Sequence, residues 1–92
     1  MVRADTVLIR DGEPAGVLLD DNYVLLSVRA GSYFEFNRIA TEIWKILAEP
    51  CRVSEVLDRL SKTHDVDTQI LSRDVTSFLN KLVKHRLVRV VQ

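Results

Sequence analysis

The chain holds a single cysteine, Cys51, which excludes an internal disulfide and any cysteine-built metal cluster and suits a reducing compartment. No apolar run approaches the roughly 18–20 residues that cross a bilayer, and no basic segment followed by an apolar one opens the sequence, so neither a membrane span nor an export signal is expected. An excess of one charge is missing too. The 13 Lys and Arg balance 13 Asp and Glu, and the signs mix in both halves, which removes the bulk field that binders of nucleic acid or anionic lipid rely on. Two prolines and three glycines are too few for a linker or a low-complexity tract, and no internal repeat recurs. What remains is a chain of 92 residues, 47% of them apolar. It reads as one soluble, cytoplasmic domain over residues 1–92 with a modest core.

The stretch Gly31-Ser32-Tyr33-Phe34-Glu35-Phe36-Asn37 organises the rest. Aromatic and polar residues alternate over Tyr33 to Phe36, a Gly-Ser turn precedes them, and Asn37 is suited to cap a helix, so this is the last strand of a small sheet running into the first helix. A strand that ends a meander has one neighbour from its own chain, and its other edge can offer main-chain N–H and C=O groups to an outside peptide. Before it, Thr6 to Arg10 reads as a weak terminal strand, Asp11 to Pro14 as a turn, Gly16 to Asp20 as a strand, Asp20 to Asn22 as a turn, and Tyr23 to Ala30 as a longer strand. In that longer run Val24, Leu26, Val28 and Ala30 form the expected core face, with Tyr23, Leu25, Ser27 and Arg29 on the other. Phe34 and Phe36 continue the buried side of the sheet.

Helices follow. Asn37 caps the first, whose stripe is Ile39, Ala40, Ile43, Trp44, Ile46 and Leu47, and Pro50 disfavours helical geometry at Glu49 and ends it. Ser54 is the expected cap of a second helix that buries Val56, Leu57 and Leu60 and runs out near His64 and Asp65. Asp67 caps the third and longest, carried to about His85. Its apolar residues Ile70, Leu71, Val75, Phe78, Leu79, Leu82 and Val83 cover more than one narrow stripe, as expected of a helix that touches its own core and something else. Leu87 to Val91 completes the chain as a short strand. Trp44 lies on an apolar stripe and reads as core. Cys51 with His64 or His85 lacks a third orienting group and an oxyanion loop, so catalysis is not expected. Nor is a metal site or a phosphate loop, and no cofactor is expected.

The ordered series Val24-Leu25-Leu26, Gly31, Tyr33-Phe34, Phe36-Asn37, Ala40, Ile43-Trp44, Leu47, Val53, Val56, Leu60, Asp74-Val75, Leu79, Leu82 and Leu87-Val88 resembles the PqqD-like family, the RiPP recognition elements that bind leaders of ribosomally made, modified peptides. The likeness spans roughly residues 16 to 91. The family has Leu-Asn where this chain has Phe36-Asn37, which keeps an apolar residue, and Gly-Leu-Val or Gly-Leu-Ile where it has Arg86-Leu87-Val88, which removes a glycine from the end of the last helix.

The resemblance implies an α+β, winged-helix-like fold in which a three-stranded antiparallel sheet is followed by three helices. It implies that a leader peptide adds as an antiparallel strand to the third strand of that sheet, in the groove with the third helix. On that basis the leader-binding candidates are the strand Tyr33, Phe34, Glu35 and Phe36, the apolar groove residues Phe34, Leu71, Val75 and Phe78, and the charged Asp74 and Lys81 with Arg73 beside them. It further implies a non-catalytic protein that presents the leader to a processing enzyme, as stand-alone members do for a lasso leader peptidase and, downstream, the cyclase. Service in pyrroloquinoline quinone synthesis beside a radical enzyme is the alternative. A winged-helix DNA-binding regulator competes from a different class, using Arg73, Lys81, Lys84, His85 and Arg86. The neutral net charge, with Asp67 and Asp74 near the start of that helix, speaks against it. An exposed edge strand leaves both a monomer and a weak self-paired dimer open.

Overall fold

The computed structural model describes residues 1–11, 15–19, 22–27 and 32–91. The elements are β1 (Val7–Arg10), β2 (Ala15–Leu19), β3 (Asn22–Ser27), β4 (Ser32–Phe36), α1 (Arg38–Ile46), β5 (Cys51–Arg52), α2 (Val53–Thr63), α3 (Thr68–Lys84) and β6 (Val88–Val90). The fold is α+β. Strands β2, β3 and β4 form an antiparallel meander in that order, and the three helices follow it. The turn residues expected at 12–14, at 20–21 and at 31, and the end of the expected strand over 28–30, lie outside the described residues.

Strand β1 is not part of the meander. It sits at the centre of a second sheet of order β5-β1-β6, with Leu8 opposite both Cys51 and Val90. Strands this short cannot stand alone, and they hold here because their neighbours bind their ends. The Arg10 amide donates to the Leu47 carbonyl at 3.0 Å and the Asp11 amide to the Leu87 carbonyl at 2.9 Å. α1 stops at Ile46, short of Glu49, and the carbonyl of its C-cap Leu47, one of those a helix end leaves without an intrahelical partner, accepts from β1.

The expected core face of β3 is reversed. Leu25 is fully buried and Tyr23 packs against the core. The register explains this, since Tyr23 lies opposite Phe36 and Leu25 opposite Phe34, and directly opposed residues share a face. Val24 and Leu26 oppose Glu35 and Tyr33, which are both exposed. The core itself is one cluster joining Leu8, Leu25 and Phe36 to Ile43, Trp44 and Leu47 of the α1 region and to Leu60, Val75, Leu79 and Leu82. Phe36 is its aromatic centre. Its ring meets Phe78 edge-on at 5.3 Å, Trp44 at 5.8 Å and Tyr23 at 6.4 Å. Trp44 is buried, and the Arg10 guanidinium lies over its ring at 5.1 Å.

Two helices carry the expected side-chain caps. The Asn37 side chain accepts from the Ala40 amide at 2.9 Å, and Asp67 accepts from Gln69 and Ile70 at 2.8 and 3.2 Å. Ser54 does not cap α2. The helix begins two residues earlier, with Arg52 at the N-cap, and no side chain serves there. Its first amides are satisfied instead by the N-terminal segment: Val53 donates to the Thr6 carbonyl at 3.0 Å and Ser54 to the Ala4 carbonyl at 2.9 Å. The Val2 amide in turn donates to the Asn80 side chain of α3 at 2.9 Å, so residues 2–6 tie α2 to α3.

The end of α3 answers the missing glycine. Leu87 donates to the Leu82 carbonyl and Arg86 to the Val83 carbonyl, a Schellman arrangement that places Arg86 in the left-handed region at φ 60°. An arginine pays there what a glycine does not. Arg86→Gly is therefore expected to raise stability by about 0.5–1 kcal/mol, moving the melting temperature up by about 2–8 °C in a thermal scan.

Candidate functional site

Strand β4 has a single strand neighbour, β3, among the described residues. Which of its main-chain groups face the open edge follows from the register. Only residues 20 and 21 separate β2 from β3, so the closing pair Leu19 and Asn22 can only be one that exchanges both ladder hydrogen bonds. Alternation then makes Val24 and Leu26 bond to β2, and Tyr23, Leu25 and Ser27 bond to β4. On β4 the partners are Phe36, Phe34 and Ser32. Tyr33 and Glu35 consequently direct their main-chain N–H and C=O away from β3.

The neighbour on that side is α3. Phe36 meets Phe78 at 5.3 Å, and Phe34 meets the His85 ring at 5.2 Å. The helix therefore runs antiparallel to β4. At 100° per residue, Ile70, Asp74, Ser77, Lys81 and Lys84 form the flank of α3 adjoining Phe78 and His85, and all five are exposed. The opposite flank carries Asn80, which holds the N-terminal segment.

A cavity of about 190 Å³ opens where β4 passes into α1, lined by Asn37, Ile39, Ala40, Ile43, Val66, Leu71, Asp74, Val75 and Phe78. The structure thus brings Leu71, Asp74, Val75 and Phe78 of the nominated set around one space. They differ in depth. Leu71 and Val75 are buried and form its floor, Phe78 is half-buried at its wall, and Asp74 stands at its rim. Phe36 is buried in the core. Of the remaining strand residues, Tyr33 is 71% exposed, Glu35 is exposed and Phe34 is half-buried. Lys81 is exposed on the same helical flank, and Arg73 sits 3.7 Å from Asp74 in a solvent-facing ion pair.

Sequence reasoning missed the contributions of Asn37, Ile39, Ala40, Ile43 and Val66. Val66 carried a signal: it is an apolar residue isolated between acids in a connection, and it is 38% exposed at the cavity's edge. Thr41 is buried behind Asn37, and its hydroxyl donates to the Asn37 carbonyl at 2.8 Å, which fixes the strand-to-helix corner.

Neither histidine meets the cysteine. His64 Nε2 lies 3.0 Å from Glu42 Oε2, joining the end of α2 to α1, and the His85 ring lies on Phe34. The Cys51 thiol donates to Glu55 Oε2 at 3.3 Å. Burial, then the Glu55 hydrogen bond and charge, push it from 9.0 up to about 11. That is the reverse of the shift a thiolate nucleophile needs. Because the folded thiol titrates above the unfolded one, it favours the folded state fully below pH 9 and loses that contribution as pH rises through about 11. Urea midpoints taken across that interval are expected to fall more steeply for the wild type than for Cys51→Ala. Among the described residues no three His, Cys, Asp or Glu side chains converge as metal ligands, and no helix is long and apolar enough to cross a membrane.

No curated protein matches the chain. Among solved structures it is similar to TbiB1, described in complex with the TbiA(beta) leader peptide, at 28% identity and a TM-score of 0.73, over 88% of this chain and 95% of that one. The family model for coenzyme PQQ synthesis protein D matches residues 22–88. The chain belongs to the PqqD family.

Proposed function

We propose that this protein captures the leader of a ribosomally made precursor peptide as a strand added antiparallel to β4, and delivers it to a processing enzyme such as a lasso leader peptidase. The observation that carries the reading is the direction of the Tyr33 and Glu35 main-chain groups, away from β3 and toward the side where α3 lies. Main-chain pairing there gives affinity with little dependence on sequence, and the 190 Å³ cavity beside Phe78 gives selectivity by taking one apolar side chain. That TbiB1 is described in complex with a leader peptide supports leader binding by a protein of this fold.

The protein works by tethering and performs no bond chemistry: a held leader raises the effective concentration of the precursor at an enzyme that the same protein engages in the cytoplasm. The test is fluorescence-polarisation binding to the leader segment of any short precursor peptide encoded beside it, with a random DNA duplex in parallel. Leader binding that survives added salt, with no duplex binding, is the expected result. Binding to the duplex alone, fading steeply with salt, would reject it in favour of a DNA-binding role. Adding the neighbouring peptidase or, separately, a neighbouring radical enzyme to the leader complex in a pull-down distinguishes the lasso pathway from quinone synthesis.

A further inference from the structure

The flank of α3 beside β4 changes character along its length: Ile70 and Asp74 come first, Ser77 lies between, and Lys81 and Lys84 come last, all exposed. Among the described residues no carboxylate lies within ion-pair distance of either lysine, and Asp74 has only the solvent-facing Arg73 contact at 3.7 Å, of the kind worth little. We propose that this gradient reads the charge order of the bound peptide, selecting leaders with a basic residue toward the amino end of the docked segment and an acidic residue toward its carboxyl end. The inference rests on the strand capture proposed above and assigns the class of peptide it takes.

The direction comes from the two ring contacts. Phe36 touches Phe78 and Phe34 touches His85, so α3 and β4 run antiparallel. A guest antiparallel to β4 therefore runs parallel to α3. Its amino end lies beside Asp74 and the cavity, and its carboxyl end lies beside Lys81 and Lys84.

Spacing follows as well. From Asp74 to Lys81 and Lys84 the helix rises about 10–15 Å, which an extended strand covers in about three to four residues at ~3.4 Å each. Guest residues opposite Phe36, Phe34 and Ser32 share the helix-facing side, since opposed residues share a face. Only even separations keep two guest residues on that side, so basic and acidic residues fit at i and i+4. The reversed order would set acid against Asp74 and base against the lysines, a like-charge mismatch at both ends.

The experiment selects short random peptides from a display library against the wild type and against the variant Asp74→Lys with Lys81→Glu and Lys84→Glu. All three positions are exposed and leave the core untouched. The wild type is expected to enrich peptides with the basic-then-acidic order about four residues apart, and the variant the reverse order. Each selected peptide should bind the mismatched protein about tenfold more weakly. If both proteins enrich the same charge pattern, the polarity inference is overturned while strand capture stands. If the enriched peptides bind Tyr33→Pro as well as they bind the wild type, they dock elsewhere, and strand capture falls with the inference.

Discussion

Replacing Val75 by aspartate is expected to unfold the protein, although Val75 lines the cavity. The side chain is 2% exposed and belongs to the cluster that joins α3 to Leu25, Phe36 and Ile43. A carboxylate there would be desolvated with no cation built to meet it, at a cost of about 4 kcal/mol or more. A domain of this size holds roughly 5–14 kcal/mol in total, so most of its margin would go. Urea denaturation followed by near-ultraviolet circular dichroism is expected to show a lost or strongly lowered midpoint, with Lys84→Ala within about 0.5 kcal/mol of the wild type. A native-like midpoint for Val75→Asp would mean that the cavity floor is wetter than its burial indicates. The depth of Val75 also fixes how the groove is to be probed. Ile70, 47% exposed on the α3 flank, tolerates a charge without entering the core, so Ile70→Asp tests the groove where Val75→Asp tests the fold.

The parts legible in the sequence are those set by local chemistry. Asn37 and Asp67 cap helices because a short polar side chain in extended backbone reaches the next turn's amides whatever surrounds it. The Tyr33 to Phe36 alternation is likewise a property of four neighbouring residues, and it gave the right buried face. Where the pattern was continuous it gave the wrong one. Val24, Leu25 and Leu26 are all apolar, so periodicity could not say which faced inward, and only the opposition of Leu25 to Phe34 settles it. The strands Thr6 to Arg10 and Leu87 to Val91 of the second sheet were legible, but their pairing with each other, and that of the first with β5, was not, for a different reason. That sheet's strands hold four, two and three residues and join the two ends of the chain, so their stability lies in pairing that no local window contains. Ser54 misled because the carbonyls that cap α2 come from Ala4 and Thr6, distant in sequence. Arg86 shows the converse: the departure from the family's glycine marked a real feature, and the arginine adopts the glycine's backbone conformation instead of abolishing the turn.

Proline at Tyr33 is expected to abolish leader binding and leave the fold standing. The Tyr33 amide points away from β3, so losing it removes nothing from the β3–β4 ladder, while the same loss and the proline ring block a strand arriving at the open edge. The Tyr33 side chain is 71% exposed and contributes little to the core. Affinity is expected to fall by about 100-fold or more, since one main-chain bond is lost and the guest's register is displaced around it. Phe34→Pro provides the contrast. Its amide faces β3 and its ring packs on His85, so this variant is expected to lose sheet stability as well as binding. Calorimetric titration with the leader, paired with a thermal scan of each variant, separates the two. Wild-type affinity in a folded Tyr33→Pro protein would show that the peptide does not pair with this edge. A Tyr33→Pro protein that melts as early as Phe34→Pro would show that the ladder parity derived from the Leu19 and Asn22 closing pair is inverted.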